Sequence, residues 1–154
     1  MKYEMRRMER AITESDARSI LEKGIYGILS TVGEDGYPYG VPINYVCKDG
    51  AIYFHCARDC GRKISNLRYS SKAGFTVVGD SEVLKDKFAM NYESVIVNGT
   101  ISEVIEEKET IFEKLLVKYS SDYMESGKKY MLAAGEKAAI YKLTIEEISG
   151  KARR

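Results

Sequence analysis

The residues able to do chemistry cluster between Phe54 and Lys63. Gly61-Arg62-Lys63 places two cations directly after a glycine. Glycine lets backbone amides approach a ligand closely. If a helix opens here, its free amides, its dipole and the two side-chain charges all favour an anion, and phosphate is the natural guest. The same residues also read as a solvated loop with two surface cations. His55 is the single histidine of the chain. A Ser-His-Asp site could be built only around it. A neutral imidazole there can donate to a substrate or cofactor, or it can be a strand-end histidine satisfied by a backbone carbonyl. Cys56 and Cys60 add a Cys-x-x-x-Cys spacing, but a structural zinc site needs a fourth ligand that is missing. No metal is expected, and the thiols read as buried or incidental. There is no G-x-x-x-x-G-K-[ST] loop and no dinucleotide fingerprint. Tyr37, Tyr39 and Tyr45 alternate along one segment, either as an interface between subunits or as aromatic walls for a planar substrate. Tyr37 and Tyr39 suit the interface; Tyr45 stays open.

These residues need a scaffold. Thr13 can cap a helix running to Lys23, with Glu14 and Asp16 at its positive end and Gly24 as a left-handed stop. From Ile25 the period changes. Ile25 to Val32, Tyr37 to Cys47 and Ala51 to His55 read as three strands in a meander, joined by turns at Asp35-Gly36 and Asp49-Gly50. Pro38 and Pro42 remove ladder donors, so the second strand should lie at an edge or be bulged. A short helix is expected near Arg62 to Tyr69, a strand over Ala73 to Val78, and a polar loop or short extra turn over Gly79 to Met90. Tyr92 to Ile105 reads as a long strand with a bulge at Gly99. Ile111, Phe112, Leu115, Leu116 and Tyr119 follow the helical period within Glu106 to Tyr119. A short helix over Lys128 to Ala134, a last strand over Ala138 to Ile145, and a solvated basic tail through Arg153 and Arg154 complete the chain.

Together these elements predict one α+β domain over residues 1–154, mainly β, built as a six-stranded antiparallel split barrel with flanking helices. A chain of this length buries roughly two-thirds of its unfolded surface and needs no disulfide to fold. With 24 basic and 23 acidic residues, no global field favours nucleic acid or an anionic membrane. No apolar run approaches a membrane span, and the charged Met1 to Arg10 stretch is not a secretory signal. Three cysteines without a framework spacing suit a reducing, cytoplasmic setting.

The order and spacing of several segments carry a resemblance. Gly27-Ile28-Leu29-Ser30-Thr31, Gly36 to Tyr45, Ile52 to Ala57, Gly61 to Leu67, Tyr92 to Gly99 and Glu147-Ile148-Ser149-Gly150-Lys151 are similar to the pyridoxamine 5′-phosphate oxidase-related flavoproteins, most of all their nitroimidazole-resistance branch. The resemblance spans Thr13 to Lys151. It implies a homodimer with FMN at the subunit interfaces. Pro42, Ile43, Asn44 and Tyr45 would offer main-chain groups to the flavin ring. Phe54, His55, Cys56 and Ala57 would lie near the ribityl chain and phosphate, with Arg62 and Lys63 gripping the phosphate. Tyr92 and Ser94 match the place where a strand approaches the flavin from the partner, and Lys151 matches a basic position. His55 is the catalytic candidate.

The chain departs from true pyridoxamine-phosphate oxidases. Their arginine-led strand corresponds to Val41 to Val46, which has no cation, and their C-terminal Arg-x-His corresponds to Ser149-Gly150-Lys151. Vitamin B6 oxidation is therefore not expected. The resemblance implies instead an FMN-dependent reductase, passing electrons from a reduced nicotinamide to a small planar acceptor such as a nitroaromatic or quinone. The alternatives are a non-catalytic FMN-binding or electron-transfer module, or a haem-binding split barrel.

Overall fold

The computed structural model describes residues 4–154; Met1, Lys2 and Tyr3 of the charged N-terminal stretch lie outside the described residues. Helix α1 spans Glu14–Lys23. The Thr13 hydroxyl accepts the Asp16 N–H at 3.1 Å, and acids fill the first turn. Ala17, Ile20 and Leu21 are buried. Gly24 does not adopt the left-handed conformation expected of it: φ is −56° and ψ is 134°. Its missing side chain serves a close approach instead. A Cβ there would lie 2.5 Å from the Tyr45 hydroxyl oxygen and 2.6 Å from Val77 Cγ1.

Seven strands follow: β1 Gly27–Val32, β2 Pro38–Ile43, β3 Val46–Lys48, β4 Ala51–Ala57, β5 Lys72–Leu84, β6 Ala89–Val104 and β7 Ala138–Arg153. They pair in the order β2-β1-β5-β6-β7-β4-β3, and every pairing is antiparallel. The expected strand Tyr37 to Cys47 is thus two strands. β2 pairs with β1, and β3 pairs with β4. Only Asn44 and Tyr45 separate β2 from β3, yet the two lie at opposite edges of the sheet. The edges must therefore stand side by side, and the sheet curls into a barrel. The α+β split-barrel expectation holds; the simple meander and the count of six do not. Both prolines fall on the edge strand β2, where missing donors cost least.

The register of β6 with β7 shifts between Asn98 and Gly99. Gly99 pairs with Ile145 and Asn98 with Glu147, so Glu146 is the extra residue. A Cβ on Gly99 would collide with the Thr144 carbonyl. The bulge bends β7 so that its first half serves β4 and its second half serves the start of β6. β7 also runs on to Arg153, where a solvated tail was expected. Within Gly79 to Met90 only Lys85–Lys87 form the short turn expected there; the rest is no loop, because β5 and β6 continue on either side as a ribbon.

Helices α2 Arg62–Tyr69, α3 Lys108–Ser120 and α4 Met124–Ala134 complete the fold. α1 and α2 plug the barrel, where Ile20, Leu21 and Ile64 join Leu29, Phe75 and Val95 in the core. α3 lays Ile111, Phe112 and Leu115 over Val46, Ala51, Tyr53 and Ile140 on the outside of the barrel. Among the described residues the outer face of β1, β5 and β6 carries no such cover, and Val78 and Ile96 stay 63% and 51% exposed on it.

Candidate functional site

Strand β4 ends at Ala57, and residues 58–61 turn the chain into α2. Gly61, at the helix N-cap, has φ +92° and ψ 159°. That conformation suits glycine, and a Cβ there would meet nothing within 4 Å. The first amides of α2 therefore open onto free space, with no side chain capping them. The buried Asn66 amide donates to the Thr31 hydroxyl at 3.0 Å, which ties the helix to β1.

The cations around this helix start are not equivalent. Arg58 pairs with Glu103 at 3.3 Å, and Arg68 with Asp59 at 3.3 Å. Arg62 pairs with Asp35 of the β1–β2 turn at 2.8 Å, and its guanidinium lies 5.2 Å from the Tyr39 ring centre. Lys63 has no carboxylate partner among the described residues; its ammonium stands 5.7 Å from the Phe54 ring centre. Lys63 is the charge left available for a ligand at the open helix end. Sequence reasoning treated Arg62 and Lys63 as one grip and missed the Asp35 clasp on Arg62.

Strand alternation separates the β4 candidates. Phe54 is fully buried in the barrel core, stacked 5.8 Å from Tyr141, and Cys56 packs on the same core. His55 points the other way, towards Phe112 of α3, with ring centres 6.0 Å apart. Three successive side chains of a strand cannot face one ligand. Partial burial, then the nearby Lys63 charge, lowers the His55 pKa below its usual 6.5, so the imidazole is neutral near pH 7. Burial pushes the Cys56 thiol up, away from thiolate chemistry.

Tyr45 is neither interface nor wall. It is fully buried, edge-on to Phe75 at 4.9 Å, and its hydroxyl donates to the Leu21 carbonyl. Its main chain is also engaged. The Tyr119 hydroxyl accepts the Tyr45 N–H at 3.0 Å and lies 2.9 Å from the Tyr45 carbonyl. Tyr45 anchors the crossing from β2 to β3, while Pro42 and Asn44 before it are exposed. Tyr119 was read only as part of a helical core stripe; nothing in its spacing announced this role.

A second group forms at the far end of the outer face. Ser94 pairs with Lys151, and Tyr92 with Arg153, so these side chains share one side of the sheet. The Arg10 guanidinium reaches the Tyr92 hydroxyl at 3.4 Å. That contact, with Lys151 nearby, lowers the Tyr92 pKa. Between the two groups the face hollows into a depression of about 620 Å³ lined by Ser30, Gly74, Asn98 and Glu147 among others. One chain does not unite its candidates: Arg62 and Lys63 lie by the β1–β2 turn, whereas Tyr92, Ser94 and Lys151 lie beside the N-terminal segment.

An antiparallel barrel plugged by helices, with an open helix terminus at its mouth and one bare outer face, defines the split-barrel class. The sequence profile described as pyridoxamine 5′-phosphate oxidase matches residues 13–152, and the chain belongs to that family. No curated protein sequence matches it. Among solved structures, the chain is similar to a candidate 5-nitroimidazole antibiotic resistance protein from Bacteroides thetaiotaomicron, at 19% identity and TM-score 0.75, covering 92% of this chain and 86% of that one. It is similar to an FAD-binding protein from Mesorhizobium loti, at 22% identity and TM-score 0.69, covering 94% and 98%. It is also similar to an FAD and haem binding protein from Mycobacterium smegmatis, at 15% identity and TM-score 0.74, covering 92% and 72%. At such identities the likeness establishes the fold.

Proposed function

We propose that this chain binds FMN between two copies of itself and passes electrons from a reduced nicotinamide to a small planar acceptor, such as a nitroaromatic or quinone. The observation that carries the reading is the open α2 terminus. Gly61 in a positive-φ conformation, uncapped helix amides and a Lys63 ammonium without a carboxylate partner among the described residues together match a single phosphate. FMN has one phosphate and a flat polar ring, so it needs a compact anion site and strand edges rather than a dinucleotide fold.

Each group on the chain then has a task. Lys63 and the α2 amides hold the phosphate, and Arg62 joins them on leaving Asp35. The exposed edge of β2 at Pro42, Ile43 and Asn44 lies along the ring. Tyr92, Ser94 and Lys151 approach from the second copy. His55, neutral at the end of β4, donates a hydrogen bond at the substrate side or steadies the site. When bound, FMN supplies the redox chemistry; the chain binds, orients and excludes water. The likeness to the nitroimidazole-resistance protein supports this reading over vitamin B6 oxidation.

The test is spectroscopic. Protein incubated with FMN should retain a yellow flavin spectrum after desalting. Lys63→Ala should weaken FMN about 10- to 150-fold, the value of one charge-assisted bond of about 1.5–3 kcal/mol. A protein that cannot be loaded, or an unchanged affinity in Lys63→Ala, removes the phosphate assignment. A Soret band in place of the flavin spectrum would select the haem reading. A flavin that no reduced nicotinamide bleaches would leave a binding module without this turnover.

A further inference from the structure

Two basic segments remote in sequence meet beside Tyr92. Ala11 bridges to Lys151, and the Ile12 N–H donates to the Gly150 carbonyl at 3.2 Å. The short helical turn Met8–Arg10 therefore lies by the last residues of β7. Arg6, Arg7 and Arg10 come from the first segment, and Lys151, Arg153 and Arg154 from the second. A chain of net charge +1 thus gathers six cations at one end of its barrel. Tyr92 is opposite Arg153 and Ser94 opposite Lys151, so Lys151 and Arg153 stand on one side of the sheet, roughly 7 Å apart along the strand. The Arg10 guanidinium reaches the Tyr92 hydroxyl at 3.4 Å. Among the described residues only Arg154 of this cluster has a carboxylate partner, Glu93 at 3.3 Å. The other five charges repel one another, and a bound anion relieves that repulsion.

The surroundings of the cluster narrow the choice of anion. Arg153 and Arg154 share a depression of about 360 Å³ with Asp80, Glu82 and Glu93. Carboxylates there repel an extended polyanion such as nucleic acid, whose charges recur along its whole length. They accept hydrogen bonds from the hydroxyl and amino groups of a neutral partner. A compact phosphate on a neutral nucleoside suits both walls: the phosphate meets the arginines, and the ribose and base meet the acids. An arginine beside a ribose accommodates a 2′-phosphate, whereas a free carboxylate there selects the 2′-hydroxyl. Here Glu93 is held by Arg154, and Glu82 accepts from the Asn91 amide at 3.5 Å. Arg7 and Arg153 are half-buried and have no such partner, so they lose less freedom on gripping a ligand than fully exposed side chains would.

We infer that this cluster recognises the 2′-phosphate of a nicotinamide dinucleotide, with Arg7 and Arg153 as its principal contacts. The assignment rests on the reduced-nicotinamide reading above and narrows it: the electron donor is the 2′-phosphorylated form.

Titration calorimetry with NADP+ and NAD+, neither of which can deliver a hydride, tests this without turnover. The wild-type chain, before and after incubation with FMN, should bind NADP+ about tenfold or more tightly than NAD+. Adenosine 2′,5′-bisphosphate should compete with NADP+, and adenosine 5′-monophosphate should not. Arg7→Gln and Arg153→Gln should each lower NADP+ affinity about tenfold, the low end for a charge-assisted bond, and leave NAD+ and FMN affinity unchanged. Arg153→Lys should keep part of the preference, because a point charge remains. Equal affinity for NADP+ and NAD+ overturns the assignment, and FMN binding retained in that chain would show that the phosphate site at Lys63 stands. Competition by inorganic pyrophosphate or duplex DNA as strong as that by the adenosine bisphosphate overturns it too, since the cluster would then take any polyanion. A chain that binds NADP+ with this preference yet cannot be loaded with FMN supports the 2′-phosphate site and removes the flavin reading instead.

Discussion

Replacing Tyr119 by phenylalanine removes one oxygen and tests what holds the barrel crossing in place. That oxygen accepts the Tyr45 N–H at 3.0 Å and lies 2.7 Å from the Ile25 carbonyl and 2.9 Å from the Tyr45 carbonyl. Its single proton serves one carbonyl at a time. The Ile25 carbonyl can find water, because Ile25 is exposed, but the Tyr45 residue is fully buried. Leaving its N–H unpaired costs about 1–3 kcal/mol, and the lost carbonyl contact adds about 0.5–1.5 kcal/mol. The ring stays, so its packing against the apolar cluster between α3 and the barrel is kept. A total loss of about 1.5–4.5 kcal/mol corresponds to a Tm fall of about 3–18 °C for a chain of this size. Urea unfolding should show the same loss with an unchanged slope. The crossing also fixes the β2 edge that is proposed to carry the ring, so FMN affinity should fall as well. A Tm within about 1 °C of wild type would show that water replaces the hydroxyl and that Tyr119 is not the anchor.

Two further outcomes follow from the site. His55 is the sole histidine, so its ring proton signals can be followed by NMR without assignment ambiguity. The midpoint should lie below 6.5, and Lys63→Ala should raise it, since the Lys63 charge is the second cause of the shift after burial. The sign for stability is that the unfolded chain binds this proton more readily; stability should drop as pH falls below the unfolded pKa, level off below the folded one, and lose that drop in His55→Gln. A midpoint at or above 6.5 contradicts the burial. Asp35→Asn should release Arg62 from its 2.8 Å ion pair. Exposed pairs of this kind are worth about 0–1 kcal/mol, so FMN should bind up to about fivefold tighter. Weaker binding in this variant would mean that Asp35 positions Arg62 for the phosphate rather than withholding it.

Periodic features were legible in the sequence. The Thr13 cap, the α3 stripe and the helix start after Gly61 each have a local signature, and each is where that signature placed it. Non-local features were not. Tyr37 to Cys47 looks like one alternating strand because β2 and β3 are both extended; only their different partners, β1 and β4, reveal the crossing between them. Residues 79–91 are polar enough for a loop, yet the ladder from Ser81–Tyr92 to Leu84–Ala89 makes them a ribbon. Gly24 carried a capping signature, and the reason for it lies 21 positions away in Tyr45. The segment from Gly61 to Lys63 was read correctly as a helix start, but its two cations were read as equals because Asp35 is remote in sequence.

The separation of the two candidate groups argues for a site made by two copies. Ser94 pairs with Val78, and Asn98, four residues on, pairs with Gly74 beside Ser30 of β1. Four strand residues span roughly 13 Å. The Arg62 clasp lies further along still, past the end of β1 at Asp35. A ligand held by Lys63 therefore lies a barrel's length from the Tyr92, Ser94 and Lys151 of the same chain. A two-fold pairing of the bare outer face reverses the strand direction of the second copy. It would bring the Tyr92 end of one copy towards the Lys63 end of the other, twice over. The exposed Val78 and Ile96 lie between those ends, where such a pairing needs apolar contact. Two observations made independently, a lysine without a carboxylate partner among the described residues and a sheet face that those residues leave uncovered, are thus both accounted for by the proposed second copy.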